Sequence, residues 1–170
     1  FHFHIRRSSV KDYSTEKIRN FALLGHGGVG KTTLAEALLY NMKEINHIGT
    51  VDSGNTVSDY HPDEKERKIS IHTSPLHGEW EEWKLNFLDT PGYSDFIGDT
   101  KGCMRVADLS VIILSSIEGF EVGTEQVVGF TDEYELPRLF LLHPPVLPDC
   151  EHPATRVLPH YPESGITAGR

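Results

Sequence analysis

Apolar and polar positions follow two rhythms along this chain, and each rhythm marks a kind of predicted element. Short apolar runs bounded by glycines or polar stretches are typical of buried strands. Such runs predict strands at 21–24, 84–88, 109–114 and 139–142. A further segment, 68–73 (KISIHT), alternates apolar with polar residues as a half-buried strand does.

Apolar residues at helical spacing fall between these runs. They predict helices over 31–42, 96–107 and 121–135, whereas residues 44–67 are polar and predict a loop. Because strands and helices alternate, the pattern favours an α/β sandwich with a mostly parallel sheet. The alternation stops near residue 142. We therefore expect a sheet that is truncated after the fifth strand-helix unit.

Length, charge and cysteine content limit the kinds of protein this chain can be. At 170 residues the chain is long enough for one domain with its own core. Its net charge of −9 gives no basic face for wrapping nucleic acid, so we expect no direct DNA binding. The longest apolar stretch, LSVIILSSI, is too short to cross a membrane. Cys103 and Cys150 are too few for a disulfide framework, which favours the reducing cytoplasm.

A glycine-rich segment after the first predicted strand carries the strongest chemistry. GHGGVGKTT fits the pattern G-x-x-x-x-G-K-[ST], in which glycines let backbone N–H groups surround a phosphate. The lysine places a positive charge on the β- and γ-phosphates, and the following hydroxyl can bind Mg²⁺. The predicted nucleotide-binding residues here are Gly25, His26, Gly27, Gly28, Val29, Gly30, Lys31, Thr32 and Thr33.

A second segment, LDTPGY at 88–93, ends a predicted strand in a carboxylate. After a phosphate loop, an acid at such a strand end holds the Mg²⁺ shell. We predict that role for Asp89, and we predict that the Gly92 N–H meets the γ-phosphate, with Thr90 and Pro91 between them. The alternative is an ordinary Asp-Thr-Pro-Gly turn between strand and helix.

Taken together, these motifs resemble the GTP-binding domain of translational GTPases, above all elongation factor G and its relatives. The resemblance covers about residues 14–138 and rests on GHGGVGKTT (25–33), ERKISI (66–71), DTPGYSDF (89–96), MRVAD (104–108), GFEVGTEQ (119–126) and ELPR (135–138). It implies a P-loop NTPase sandwich that binds GTP and Mg²⁺ and hydrolyses GTP on the ribosome. In that family further domains follow downstream.

The resemblance also implies roles for single residues. Lys31 and Gly92 would act on the reacting phosphate, and Thr32, Ser70 and Asp89 would hold Mg²⁺. Ser70 stands where the family usually has threonine, and serine keeps the hydroxyl. Lys68 replaces a usual glycine, so we expect this first switch to bend less freely.

Two departures concern catalysis. Tyr93 takes the place of the histidine that orients the attacking water, and Gly28 takes the place of a P-loop aspartate. A phenol is a poor base at neutral pH because its ordinary pKa is near ~10. We therefore expect slow or differently triggered hydrolysis, with Tyr93 as the residue nearest the catalytic histidine's role.

The end of the chain departs from the family more strongly. The family continues with Asn-Lys-x-Asp, whose aspartate reads guanine, but positions 143–146 are His-Pro-Pro-Val. Seven of the ten prolines lie from Pro137 onward, and no lysine follows Lys101. Three interpretations therefore compete for the end of the chain: a shifted reading frame or a fused non-native end after Arg138, a disordered tail, or a new folded tail. We also expect the outer edge of the last strand to be open.

The expected organisation has three parts. Residues 1–13 form a disordered N-terminal end, where His2 and His4 do not make a metal site. Residues 14–142 form the partial GTP-binding domain, and residues 143–170 form the proline-rich tail. The leading functional prediction is a ribosome-dependent GTPase. The alternatives are a GTP-dependent ribosome-binding switch with little hydrolysis, and an inert truncated product.

Overall fold

One sheet organises the part of the chain that the computed structural model describes, which is residues 11–143 and the backbone of Arg156–Val157. Its six strands lie in the order β2-β3-β1-β4-β5-β6. They are β1 Ile18–Leu24, β2 Ser74–Trp80, β3 Trp83–Asp89, β4 Leu109–Ser115, β5 Arg138–His143 and β6 Arg156–Val157. β1 is parallel to β3 and β4, and β4 is parallel to β5, while β2 and β6 are antiparallel to their neighbours. The predicted mostly parallel α/β fold is confirmed.

Helices cover both faces of this sheet. α1 Lys31–Asn41 covers one face, and α3 Ile97–Cys103 and α4 Val122–Glu133 cover the other. A fourth helix, α2 Pro62–Arg67, lies in the connection between α1 and β2. Successive residues of β1 point to opposite faces, as in any strand. Leu23 packs in the core under α1, whereas Ala22 and Leu24 pack in the core under α3 and α4. Ala22, Leu23 and Leu24 are all fully buried. β1 therefore gives the loop that follows it a rigid base.

The predicted strand over 68–73 is wrong, because the strand begins at Ser74 and the segment before it is irregular. Lys68 lies in the left-handed region (φ 56°) and ends α2. The backbone N–H groups of Ile71 and His72 donate to the side chain of Glu64 and not to a neighbouring strand. A side chain therefore satisfies the donors that would otherwise build a ladder.

The predicted loop over 44–67 contains one helix, α2. Its sequence, PDEKER, has proline at the first position, acids in the first turn and bases in the last turn. These are ordinary helix start and stop features. The helix was missed because it is short and carries no apolar stripe.

The outer edge of β5, expected to be open, is paired with β6 at Leu141 and Leu142. The expectations for residues 1–10, 144–155 and 158–170 lie outside the described residues. Within the described part of the chain, no helix is long and apolar enough to cross a membrane.

Candidate phosphate-binding site

The loop between β1 and α1 can only be built with glycine at three positions. Gly25, Gly28 and Gly30 have φ of 141°, 80° and 97°, which side-chain-bearing residues rarely adopt. Gly30 is also the residue that caps α1 at its N-terminal end. The loop therefore turns its backbone toward the start of α1, where the helix dipole favours an anion.

Lys31 is the first residue of α1, and its side chain points back into this loop. Its Nζ donates to the carbonyl oxygens of Gly25, at 3.1 Å, and of His26, at 2.7 Å. Burial lowers the pKa of Lys31 from 10.5 to about 8, although the charges of Asp89, Asp59 and Glu121 oppose that change. A buried ammonium whose hydrogen bonds to the described residues go to neutral carbonyl groups is well suited to meet an anion.

The hydroxyl of Thr32, in the first turn of α1, joins the carboxylate at the end of β3 to the hydroxyl of Ser70. Thr32 Oγ1 donates to Asp89 Oδ2 at 2.8 Å, and it lies 3.2 Å from Ser70 Oγ. Asp89 Oδ1 is buried and has no hydrogen-bond partner among the described residues. Burial raises the pKa of Asp89 to about 6, against the lowering effects of the Ser58 and Thr32 hydroxyls and of Lys31. The three residues predicted to hold Mg²⁺ thus lie together.

A second carboxylate at this site was missed by the sequence reading. Asp59 is buried, and its Oδ2 has no partner among the described residues. Burial raises the pKa of Asp59, the nearby Ser70 hydroxyl lowers it, and the charges of Glu64 and Glu36 raise it further. Nothing in the local sequence distinguishes Asp59 from the other acids of its polar segment, because only the fold determines which one is buried.

Gly92 lies against the phosphate loop. A Cβ at this position would be 2.2 Å from Lys31 Nζ and 2.6 Å from the carbonyl oxygen of His26. Thr90 Oγ1 donates to the carbonyl of Leu23, and Thr100 Oγ1 donates to the carbonyl of Pro91. The turn that follows Asp89 is therefore fixed to the sheet through Thr90 and to α3 through Pro91.

Tyr93 covers the outer side of the same loop. A Cβ on Gly27 would lie 2.6–2.9 Å from carbon atoms of the Tyr93 ring, so the ring packs directly over that glycine. The side chain remains 40% exposed. Tyr93 is thus at the mouth of the site, where it can contact both the loop and solvent.

A cleft of about 230 Å³ joins these parts. It is lined by Gly27, Gly28, Gly30, Lys31, Thr32, Thr33, Val51, Lys68, Ile69, Ser70, Gly92 and Tyr93. The other predicted residues stand behind this lining: Asp89 contacts Thr32, and Val29 packs into the core. Among the described residues, no group of three His, Cys, Asp or Glu side chains could hold a metal ion. The oxygen donors here are instead a mixture of hydroxyls and carboxylates.

Two further elements touch the loop. His26 Nε2 lies 3.5 Å from Glu121 Oε1 at the start of α4. On the other side, the ring of His143, at the end of β5, lies 3.2 Å from the position of a Cβ on Gly30. The loop is thus enclosed by the ends of β3, β4 and β5, which is where ligands bind in open α/β sheets.

Comparison with known proteins identifies the family of this arrangement. The family model described as the elongation factor Tu GTP binding domain matches residues 16–143. The chain belongs to this family. Elongation factor G 2 of Borreliella afzelii is 38% identical over 122 residues, covering 72% of this chain and 18% of that protein. Mitochondrial ribosome-releasing factor 2 of Candida dubliniensis is 38% identical over 132 residues, covering 78% and 16%.

Solved structures agree with this assignment. A crystal structure of a protein from Thermus thermophilus matches this GTP-binding domain with a TM-score of 0.73 and 36% identity, covering 74% of this chain and 19% of that one. Translation elongation factor SelB of Methanococcus maripaludis, with a TM-score of 0.56 and 20% identity, shares the fold. The predicted membership in the elongation factor G group of translational GTPases is confirmed. The chain spans less than a fifth of the length of the curated relatives named above.

Proposed function

We propose that this GTP-binding domain binds GTP with Mg²⁺ and hydrolyses it as part of an elongation factor G-like translation factor acting on the ribosome. The observation that carries the proposal is the meeting of Lys31, Gly92 and the Thr32–Asp89 pair around one glycine loop. Each of these groups has a direct use in holding a triphosphate.

The residues present fit a magnesium ion. Mg²⁺ prefers oxygen ligands and keeps several of its waters. Asp89 Oδ1 is a buried carboxylate oxygen without a partner among the described residues. The other oxygen of the same carboxylate, Oδ2, accepts from the Thr32 hydroxyl, and the Ser70 hydroxyl lies 3.2 Å from that of Thr32. Thr32 and Ser70 would supply direct ligands, and Asp89 and Asp59 would accept hydrogen bonds from bound water. When bound, the ion neutralises charge that develops on the β- and γ-phosphates.

The chain's own groups then position the reaction. The Lys31 ammonium neutralises phosphate charge, and the backbone N–H groups of the glycine loop bind phosphate oxygens. The Gly92 N–H donates to the γ-phosphate, which links that phosphate to the segment behind it. The Tyr93 hydroxyl can hydrogen-bond the attacking water but is a weak base at neutral pH.

Hydrolysis should therefore be slow. Tyr93 replaces the histidine that orients water in the family, and Gly28 supplies no side chain at the second polar position. We expect Tyr93→His to raise ribosome-stimulated GTP hydrolysis by about tenfold or more, within the range of positioned acid–base catalysis. Equal rates for the two chains in a single-turnover assay would count against this expectation. The same two replacements, Tyr93 and Gly28, also support the second candidate, a ribosome-binding switch with little hydrolysis.

Nucleotide retention tests the proposal most directly. Lys31→Ala should abolish most retention of Mg-GTP by a chain shown to be folded by circular dichroism. Lys43→Ala is the matched control, since Lys43 is exposed and lies outside the cleft. Unchanged retention in the Lys31 variant would remove the basis of the proposal.

The setting of this activity is also proposed. Relatives that are translation factors by name support the ribosome as partner, and we place the protein in the cytoplasm. The mitochondrial relatives make import into mitochondria the alternative compartment. Cell fractionation with an antibody against this chain distinguishes the two.

A further inference from the structure

Glu64 is a buried carboxylate with three backbone partners. It is 1% exposed, and it lies on α2, outside the cleft. Its Oε1 accepts from the N–H groups of Ile71 and His72, both at 3.0 Å, and its Oε2 accepts from the N–H of His61 at 3.2 Å. A buried carboxylate is costly unless it is fully hydrogen-bonded, and these three bonds are of the stronger, charge-assisted kind.

These bonds hold the residues that immediately follow Ser70. Within the described residues, no strand pairs with 68–73, so no ladder fixes this segment. The backbone carbonyl of Glu64 also accepts from the N–H of Ile69, at 3.3 Å. Glu64 therefore bonds the chain on both sides of Ser70, through its backbone carbonyl before that residue and through its carboxylate after it. The Ser70 hydroxyl lies 3.2 Å from that of Thr32.

We propose that Glu64 is a positioning residue for the magnesium site: through the amides of Ile71 and His72, its carboxylate holds the Ser70 hydroxyl where it can bind the ion. The inference rests on the proposed function, because it assigns Ser70 to the same Mg-GTP site. Glu64 itself touches neither nucleotide nor metal in this arrangement.

Glu36 provides a matched control within the same chain. It is also 1% exposed, and its carboxylate accepts from the backbone N–H groups of Gly49, at 2.8 Å, and Val57, at 2.6 Å. Those bonds hold an earlier part of the same long connection, and neither donor is next to Ser70 in the sequence. If Glu64 acted only by stiffening the connection, loss of either carboxylate would affect the site equally.

The test compares Glu64→Gln with Glu36→Gln in the 170-residue chain. The measured quantity is the Mg²⁺ concentration that gives half-maximal retention of a fluorescent GTP analogue. We expect it to rise about tenfold in the Glu64 variant, because loss of the charge weakens the bonds to the two residues that follow Ser70. We expect a rise of less than about threefold in the Glu36 variant, because its bonds hold Gly49 and Val57 instead. Retention in EDTA should be the same in all three chains. Equal shifts in both variants would overturn the proposal.

A double-mutant cycle shows whether Glu64 acts through Ser70. If it does, Ser70→Ala combined with Glu64→Gln should need no more Mg²⁺ than Ser70→Ala alone. Additive effects would overturn the proposal. Amide hydrogen exchange of Ile71 and His72 in the nucleotide-free chain supplies a separate readout, expected to be faster in the Glu64 variant and unchanged in Ser70→Ala.

The outcomes separate this inference from the proposed function. A wild-type chain whose retention does not depend on Mg²⁺ would overturn the proposed function, and the inference with it. Mg²⁺ dependence that is weakened by Ser70→Ala but not by Glu64→Gln would overturn the inference alone. If Glu64→Gln loses the fold by circular dichroism, Glu64→Asp, which keeps the charge but shortens the side chain, is read in the same way.

Discussion

A methyl group on Gly92 would overlap three atoms of the phosphate loop. It would lie 2.2 Å from Lys31 Nζ, 2.6 Å from the His26 carbonyl oxygen and 2.7 Å from the Gly27 nitrogen. Gly92→Ala should therefore destabilise the fold by about 1–3 kcal/mol and weaken GTP retention by about tenfold or more. Gly98→Ala, where a Cβ meets nothing within 4 Å, is the control for both urea unfolding and nucleotide titration. Normal retention in the Gly92 variant would show that Lys31 does not need its present position.

Lys68 occupies a backbone conformation that suits glycine better. Its φ of 56° lies in the left-handed region, which costs a residue with a side chain about 1–2 kcal/mol. Lys68→Gly should therefore raise the free energy of unfolding by about 1 kcal/mol and loosen the wall of the cleft. Lys43→Gly, with φ of 63° outside the cleft, should give the same stability gain without any effect on nucleotide binding. A loss of stability in both variants would argue against the left-handed geometry.

Asp89 makes the metal-free protein less stable as pH rises. Burial raises its pKa in the folded chain to about 6, from an ordinary 3.8, so the folded state binds more protons across that window. Stability must then fall as pH increases from 3.8 to 6. Asp89→Asn removes this dependence, and in EDTA its stability advantage should grow by about 2–3 kcal/mol between roughly pH 4 and 6. Urea unfolding of both chains at several pH values checks this, and a constant difference would contradict it.

The sequence predicted some residues of the candidate site and missed others. Lys31, Thr32 and Asp89 were found because a phosphate loop requires each type at a fixed spacing, and the structure brings them together. Asp59 and Glu64 were not found, since they are two among several acids in a polar segment. Two charged neighbours of Asp59, which are Lys31 and Asp89, lie far away in the sequence. The partners of Glu64 are backbone N–H groups close by in the sequence, which no pattern of side chains reveals. Spacing therefore predicts a motif, but only tertiary packing identifies its supporting carboxylates.

At the scale of elements, α4 contains two glycines in opposite environments. A Cβ on Gly129 would meet nothing within 4 Å, whereas a Cβ on Gly123 would lie 2.6 Å from His26 Nδ1. Gly129→Ala should stabilise the helix by about 0.5–1 kcal/mol, as expected for alanine in place of glycine. Gly123→Ala should destabilise it and weaken GTP retention by pushing His26 and the phosphate loop. Urea unfolding and a GTP titration of both variants measure the contrast, and equal effects would show that α4 does not support the loop.

Long periodic elements were predicted better than short irregular ones. The cores of β1, β3, β4 and β5 were each predicted from an apolar run, and the observed strands extend them by a few residues. The segment 68–73 was mistaken for a strand because its side chains alternate, although its amide groups donate to Glu64. Periodicity reports which side chains are buried, and it carries no information on what accepts the backbone N–H groups.

At the scale of the whole molecule, the residues of the candidate site lie at one edge of the sheet, the one formed by the carboxyl ends of its parallel strands. β1, β3, β4 and β5 are mutually parallel, so their carboxyl ends meet at that edge. Asp89 and His143 are the last residues of β3 and β5, the phosphate loop follows β1, and Glu121 lies in the segment after β4. This is the position of ligands in open parallel sheets generally. The sequence predicted this placement because each motif directly follows a predicted strand, whereas the order of the strands came only from the structure.

The same edge gives a prediction about the nucleobase. His143 takes the first place of the family's guanine-reading Asn-Lys-x-Asp, and its ring packs toward Gly30 of the phosphate loop. No aspartate follows within the next three positions to accept hydrogen bonds from guanine. Affinity should then come mainly from phosphate contacts that GTP and ATP share, so we expect a GTP preference below about a hundredfold. Titration with fluorescent GTP and ATP analogues measures it. Lys31→Ala should weaken both equally, and a preference above about a hundredfold would mean that another part of the chain reads guanine.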